Sequence, residues 1–149
     1  MKNRTYRYFT GPVLYPFGFG LSYSRFVYGQ PRISTPKAKA GEPITVTVSL
    51  KNVSSRAGDE VAQLYVMPPQ TPVSPRIALE GFERVHLAAG EQRDLKFELD
   101  PRQLSSVDAA GVRRELKGVY TISVGGAQPS QSGKNSAHVE VIGEILLPR

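Results

Sequence analysis

The chain has 149 residues, 12 prolines, 14 glycines, no cysteine and a formal net charge of +6. That length suits one packed domain with an extension. The lack of cysteine removes disulfides and thiol chemistry, and no apolar run approaches the ~20 residues that span a bilayer. The charge is uneven: residues 1–58 hold nine Lys or Arg against one acid, Glu42, and the remainder holds ten basic and twelve acidic residues. The basic residues of the front are dispersed singly, which argues against the clustered face that nucleic acid needs and for a complement to an acidic neighbour.

The front is also where the aromatic residues gather. Of 7 Tyr and 6 Phe, nine lie in the first 28 positions: Tyr6, Tyr8, Phe9, Tyr15, Phe17, Phe19, Tyr23, Phe26 and Tyr28. Gly11, Pro12, Pro16, Gly18 and Gly20 break any regular periodicity there, so these rings must lie on another surface rather than form a core of their own. Arg4–Phe9 reads as a short strand, Gly11-Pro12 as a turn, and Leu14–Phe19 as a loop. Phe26–Ile33 reads as a first strand, which Pro31 marks as an edge or an irregularity. Residues 35–43 read as a polar connection turning at Gly41.

Ile44–Leu50 alternates cleanly, with Ile44, Val46, Val48 and Leu50 on one face, the mark of a sheet with one buried side. Ser54–Gly58 turns the chain, and Asp59–Met67 follows as a near-continuous apolar strand expected to be covered on both faces. Pro68–Pro75, with four of the 12 prolines, reads as a crossover loop. Ile77–Leu87 reads as a strand pair or one bent strand with an irregularity at Gly81. Ala88–Glu91 is expected to be a hairpin turn, and Arg93–Leu99 a strand that points Leu95, Phe97 and Leu99 inward. Asp100-Pro101 signals a helix start, so Gln103–Val107 is expected to be one helical turn between sheets. Asp108–Gly111 turns back, and strands over 112–116, 119–124 and 137–147 complete the set. Gly125–Ser136, rich in Gly, Ser, Gln and Asn, is expected to be the most mobile loop. This many short strands with regular turn signals predict an all-β, immunoglobulin-like or fibronectin type III-like Greek-key sandwich. It would span residues 26–149, behind an aromatic-rich extension at 1–25.

Several stretches carry a resemblance. Thr5–Gly11 (Thr-Tyr-Arg-Tyr-Phe-Thr-Gly) and Tyr15–Tyr23 (Tyr-Pro-Phe-Gly-Phe-Gly-Leu-Ser-Tyr) come first, followed in order by Ala57–Val66, Leu79–Leu87, Ala89–Glu91 and Gly118–Gly125. Together they resemble the C-terminal fibronectin type III-like domain of glycoside hydrolase family 3 enzymes and the segment that leads into it. The resemblance implies a parent of β-glucosidase or β-xylosidase type. Its catalytic barrel would carry a nucleophilic Asp and a second α/β domain the acid/base, both upstream of this chain. Met1 begins with no leader-like apolar region. The resemblance implies a periplasmic or secreted bacterial parent, with a cytoplasmic one as the alternative.

No residue here matches either catalytic motif. Glycoside hydrolysis needs two carboxylates about 5–5.5 Å or about 6.5–9.5 Å apart across a sugar. Asp59 and Glu60 point to opposite faces of a strand, Glu80 and Glu83 diverge, and Glu140 and Glu144 sit among solvent-facing neighbours. His86 and His138 lie near no nucleophile. Two isolated histidines make no metal set, and Gly18-Phe-Gly20 lacks the phosphate-loop context. Catalytic residues, metal and cofactor are therefore each expected to be none. The candidates for docking or ligand contact are Tyr6, Tyr8, Phe9, Tyr15, Phe17, Phe19, Tyr23 and Arg25. Three readings stand: an accessory domain bracing the catalytic domains of a family 3 glycosidase, a free-standing polysaccharide-binding module whose rings stack on sugars, and a protein-interaction domain.

Overall fold

The structure, a computed structural model, describes residues 4–72, 74–129 and 135–148. One helical turn, α1 (Thr5–Tyr8), precedes twelve strands: β1 (Phe26–Tyr28), β2 (Arg32–Ile33), β3 (Lys37–Lys39), β4 (Ile44–Asn52), β5 (Gly58–Met67), β6 (Ala78–Leu87), β7 (Gln92–Leu99), β8 (Ser105–Val107), β9 (Arg113–Glu115), β10 (Gly118–Gly125), β11 (Ser136–Ile142) and β12 (Ile145–Leu147). One sheet sets β4 between β7 on one side and β1 and β2 on the other; the second runs β3-β11-β10-β5-β6; a small third sheet runs β12-β9-β8. The chain passes to the second sheet for β3 and back for β4; it then changes sheet between β4 and β5, between β6 and β7, and, after the small sheet, between β7 and β10, the Greek-key connections of an immunoglobulin-like sandwich. Among the described residues no helix is long and apolar enough to cross a membrane.

The core lies between the two large sheets. Ile44, Val46, Val48 and Leu50 of β4 are buried with Leu95, Phe97 and Leu99 of β7, against Ala62, Leu64, Val66, Tyr120, Ile122, Val124, Val139 and Val141 of the facing sheet. Burying an aliphatic side chain of this size contributes roughly 1.5–3 kcal/mol, so the strict alternation of β4 and β7 is the main fold-determining pattern. Tyr120 sits at one corner. Its hydroxyl donates to the Leu116 carbonyl at 2.9 Å and accepts from the Leu116 N–H at 3.0 Å, a device that recurs in immunoglobulin-like sandwiches. Burial pushes its pKa up to about 12.

Several sequence expectations need correction. Arg4–Phe9 is a helical turn and not a strand: the Phe9 N–H closes back on the Thr5 carbonyl at 3.0 Å, and the segment meets β6 through the Tyr6 hydroxyl, which accepts from the Leu79 N–H at 3.0 Å. The expected first strand is two strands, β1 and β2, interrupted at 29–31 along the same edge of β4, because Pro31 has no N–H to continue the ladder. Lys37–Lys39, expected to be a connection, pairs in parallel with Glu140–Ile142; a three-residue, lysine-bearing edge strand carries almost no periodic signal. The proline-rich loop joins the antiparallel neighbours β5 and β6 and is no crossover. Ala88–Glu91 carries the chain between sheets and makes no hairpin. Asp100 and Gln103 do cap each other, backbone N–H to side-chain oxygen, at 2.9 Å in both directions. The turn stops there, since buried Leu104 plugs the core and 105–107 enters β8 as a strand.

Other expectations hold. β6 is one strand with its register shift opposite Leu64/Tyr65, beside Gly81. One more needs correction: the single strand expected over 137–147 is two, β11 and β12, which separate at Gly143 (φ 85°) and pair in different sheets, β11 with β10 and β3, β12 with β9. The loop expected to be most mobile includes residues 130–134, which lie outside the described residues.

Candidate docking face

The face is built on the outer side of the five-stranded sheet. Successive residues of β5 point to opposite faces. Ala62, Leu64 and Val66 enter the core, while Gln63 and Tyr65 face outward, yet both are buried. What covers them is the N-terminal segment. The Gln63 amide donates to the Gly18 carbonyl at 3.1 Å and the Gly126 carbonyl at 2.8 Å. The Tyr65 hydroxyl donates to the Gln63 Oε1 at 2.6 Å, with the Phe17 carbonyl at 3.3 Å, and the Gln128 N–H donates to the same Phe17 carbonyl at 2.8 Å. Gly18 has a φ of 78°, and a Cβ there would overlap the Gln63 side chain; only glycine meets both conditions.

Two further ties hold the ends of the segment. At its start, the Arg76 N–H donates to the Arg7 carbonyl at 2.8 Å, and the Tyr6 ring stacks on Phe17 with centroids 4.0 Å apart and packs edge-on to Tyr65 at 6.5 Å. At its end, the buried Ser24 hydroxyl faces the Arg56 and Ala57 carbonyls at 3.3 and 3.2 Å, and the Val53 N–H donates to the Arg25 carbonyl at 2.9 Å. The Tyr28 hydroxyl donates to Glu60 Oε1 at 2.8 Å. Burial pushes the Glu60 carboxyl up, with the Tyr28 bond pulling it partly back.

Between these ties the apolar side chains point away from the sandwich. Leu14 is 96%, Leu21 93% and Tyr23 94% exposed, and Val13, Tyr15, Phe17 and Phe19 are also exposed. Tyr15 and Phe19 stack on each other with centroids 5.2 Å apart. Phe82, opposite Gln63 in the β5–β6 register, and Val61 extend the apolar surface onto the sheet itself.

Of the eight candidate residues, Tyr6, Phe9, Tyr15 and Phe17 come together around one groove of about 660 Å³, with Arg76 and Gln128 on its wall. Phe19 and Arg25 line a second groove with Glu60 and Gln63. Tyr8 lies apart, in a cleft with Arg7, Glu80, Arg102 and Arg113. Tyr23 lines none of these. Sequence reasoning missed Gln63, Arg76 and Gln128. A glutamine at an outward position of an apolar strand is a readable oddity; Arg76 and Gln128 carry no such signal.

Most of the paired carboxylates have a basic partner of their own, while Asp108 and Glu144 share Arg114. Asp59 pairs on the outer face with the His86 Nδ1 at 2.6 Å and with Arg84, and those two partners hold its carboxyl below the usual range. Glu140 pairs with Lys37 at 3.1 Å, and Glu144 with Arg114 at 3.4 Å. Among the described residues no three His, Asp or Glu side chains gather as a metal set would require.

Fold and face define a fibronectin type III-like sandwich, and residues 60–128 match the family model described as a fibronectin type III-like domain. The chain is 40% identical over 120 residues to a probable β-glucosidase I of Aspergillus niger, covering 76% of this chain and 15% of that protein. It is 35% identical over 130 residues to a β-xylosidase of Formosa agariphila, covering 87% of this chain and 18% of that one. Among solved structures, a GH3 β-glucosidase of Bifidobacterium adolescentis superposes with a TM-score of 0.74 at 33% identity, over 85% of this chain and 18% of the enzyme. The chain thus belongs with the fibronectin type III-like domains of family 3 β-glucosidases and β-xylosidases. It spans less than a fifth of the length of these relatives.

Proposed function

We propose that this sandwich is a non-catalytic accessory domain of a family 3 β-glycosidase and that it braces the catalytic domains through the face formed by residues 4–28. The observation that carries the reading is the row of bare apolar side chains, Leu14, Tyr15, Phe19, Leu21 and Tyr23, on a backbone tied to the sheet at three places. A contiguous apolar surface of this kind marks an interaction site, and aromatic anchors on a rigid support supply most of the energy of a protein interface. Relatives that carry the same sandwich within a much longer chain supply the partner in the same polypeptide.

The test mixes the chain with the catalytic part of a family 3 β-glucosidase from which the corresponding sandwich has been removed. The expected result is a 1:1 complex in sedimentation, with a raised melting temperature for the catalytic part. The combined change Tyr15→Ser, Phe19→Ser and Tyr23→Ser is expected to abolish it. The chain alone is expected to turn over no aryl β-glucoside above the buffer rate. If no complex forms, while xylan or β-glucan retards the chain in affinity gels and the three substitutions remove that retardation, the polysaccharide-binding reading replaces this one.

A further inference from the structure

The groove lined by Tyr6, Phe9, Tyr15 and Phe17 has one charged side chain on its wall, Arg76. The described residues include all 13 Asp and Glu side chains of the chain, and none of them lines this groove. Among the described residues, the ion pairs engage Lys37, Arg84, His86, Arg93, Lys96 and Arg114, not Arg76. The Arg76 guanidinium makes, among the described residues, one long bond, from Nη2 to the Tyr6 carbonyl at 3.5 Å, and its Nε is buried without an acceptor there. A guanidinium offers five N–H donors in a planar fork matched to a carboxylate. A buried donor left unpaired is costly, more so when charged, and the attraction of a charge for its opposite grows as aromatic walls exclude water.

We propose that this groove receives an Asp or Glu side chain from the catalytic part of the enzyme, with Arg76 as its counter-ion and the Tyr15 and Phe17 rings as its walls. The inference rests on the docking reading above and adds the chemistry of the partner: an acidic side chain set among apolar ones. The +8 charge of residues 1–58, from nine basic residues and one acid, favours the same sign of partner. An interfacial pair of this kind fixes register and orientation while the surrounding rings supply apolar contact.

Two measurements test it on the full chain. In the first, phenylacetate and its neutral counterpart phenethyl alcohol are titrated while the arginine Nε–Hε and aromatic ring resonances are followed. Phenylacetate is expected to move the Arg76 Nε–Hε signal together with those of Tyr15 and Phe17, and to bind at least about tenfold more weakly to Arg76→Gln. Equal binding of the alcohol overturns the proposal. Tighter binding of glucuronate than of phenylacetate also overturns it, in favour of an acidic sugar. In the second, association with the catalytic part described above is measured for the unaltered chain, Arg76→Gln and Arg76→Lys. A loss of about thirtyfold or more is expected for Arg76→Gln, with a smaller loss for Arg76→Lys, which keeps the charge without the fork. The titration of the unaltered chain stands whether or not the variants fold. If Tyr15→Ser with Phe19→Ser breaks the complex and Arg76→Gln does not, the counter-ion proposal fails and the docking reading survives. If neither change weakens association, the docking reading fails and this inference falls with it.

Discussion

Glu115 shows how one side chain can work against its surroundings. It is fully buried on β9; its Oε2 accepts from the Gly41 N–H at 2.7 Å, and its Oε1 has no partner. Burial pushes its pKa up, with the Gly41 bond opposing. A carboxyl whose folded pKa lies above its unfolded value, about 4.3 for glutamate, is least costly when protonated, so its contribution to stability is lost as pH rises through the folded pKa. Glu115→Gln keeps an oxygen for Gly41 and removes the charge. Its melting temperature is therefore expected to exceed that of the unaltered chain at pH 8, with the gap closing toward pH 4. A gap that is constant with pH would remove Glu115 as the cause. Asp59 and Asp108 act in the opposite sense: their pKa values are lowered, so their contributions vanish in acid. A lone glutamate between arginines and a leucine in the sequence gives no sign of this burial.

At the scale of elements, the N-terminal segment is held by its contacts and not by its own structure. Its single helical turn has no side-chain cap, and a turn that short is unstable by itself. The Gly18–Gln63 contact is the central tie. Gly18→Ala is expected to force a left-handed backbone on alanine and drive its Cβ into Gln63. Strain of this kind costs on the order of 1–3 kcal/mol. The expected outcome is release of the 14–20 loop: faster exchange of the Phe19 and Gln128 amides, which donate to the Pro16 and Phe17 carbonyls, with core amides of β4 and β10 unchanged. Slowed or unaltered exchange in the loop would show that Gln63 is not the tie. The strands divide by the same logic. β4 and β7 are legible because one face meets oil and the other water along their whole length. β3 and β8 are not, since each is three residues long and exists only through a neighbour.

The whole molecule, taken alone, exposes Leu14, Tyr15, Phe19, Leu21, Val61 and Phe82, of which Phe19, Leu21 and Val61 line one groove and Tyr15 stacks on Phe19. Bare area of this extent favours self-association. The isolated chain is expected to bind an anilinonaphthalene dye in its native state, or to form dimers whose dissociation exposes dye sites. The combined change Leu14→Ser, Leu21→Ser and Phe82→Ser is expected to reduce both without lowering the melting temperature, because none of the three side chains enters the core. A monomer that binds no dye would count against a covered face in the assembled enzyme.

From the sequence alone came the sandwich, its β4 and β7 faces, the glycine turns and the aromatic front, because each depends on local spacing: period two, φ preference, or the need of rings for a surface. Tertiary structure decided which rings turn inward and which outward. Tyr6 and Tyr28 found hydroxyl partners on β6 and β5, whereas Tyr15 and Tyr23, identical as residues, were left in water. It also brought Arg76 to the aromatic groove 61 positions after Tyr15 in the chain. Such meetings depend on which strand lies beside which, and pairings that distant leave no mark in any short window of residues.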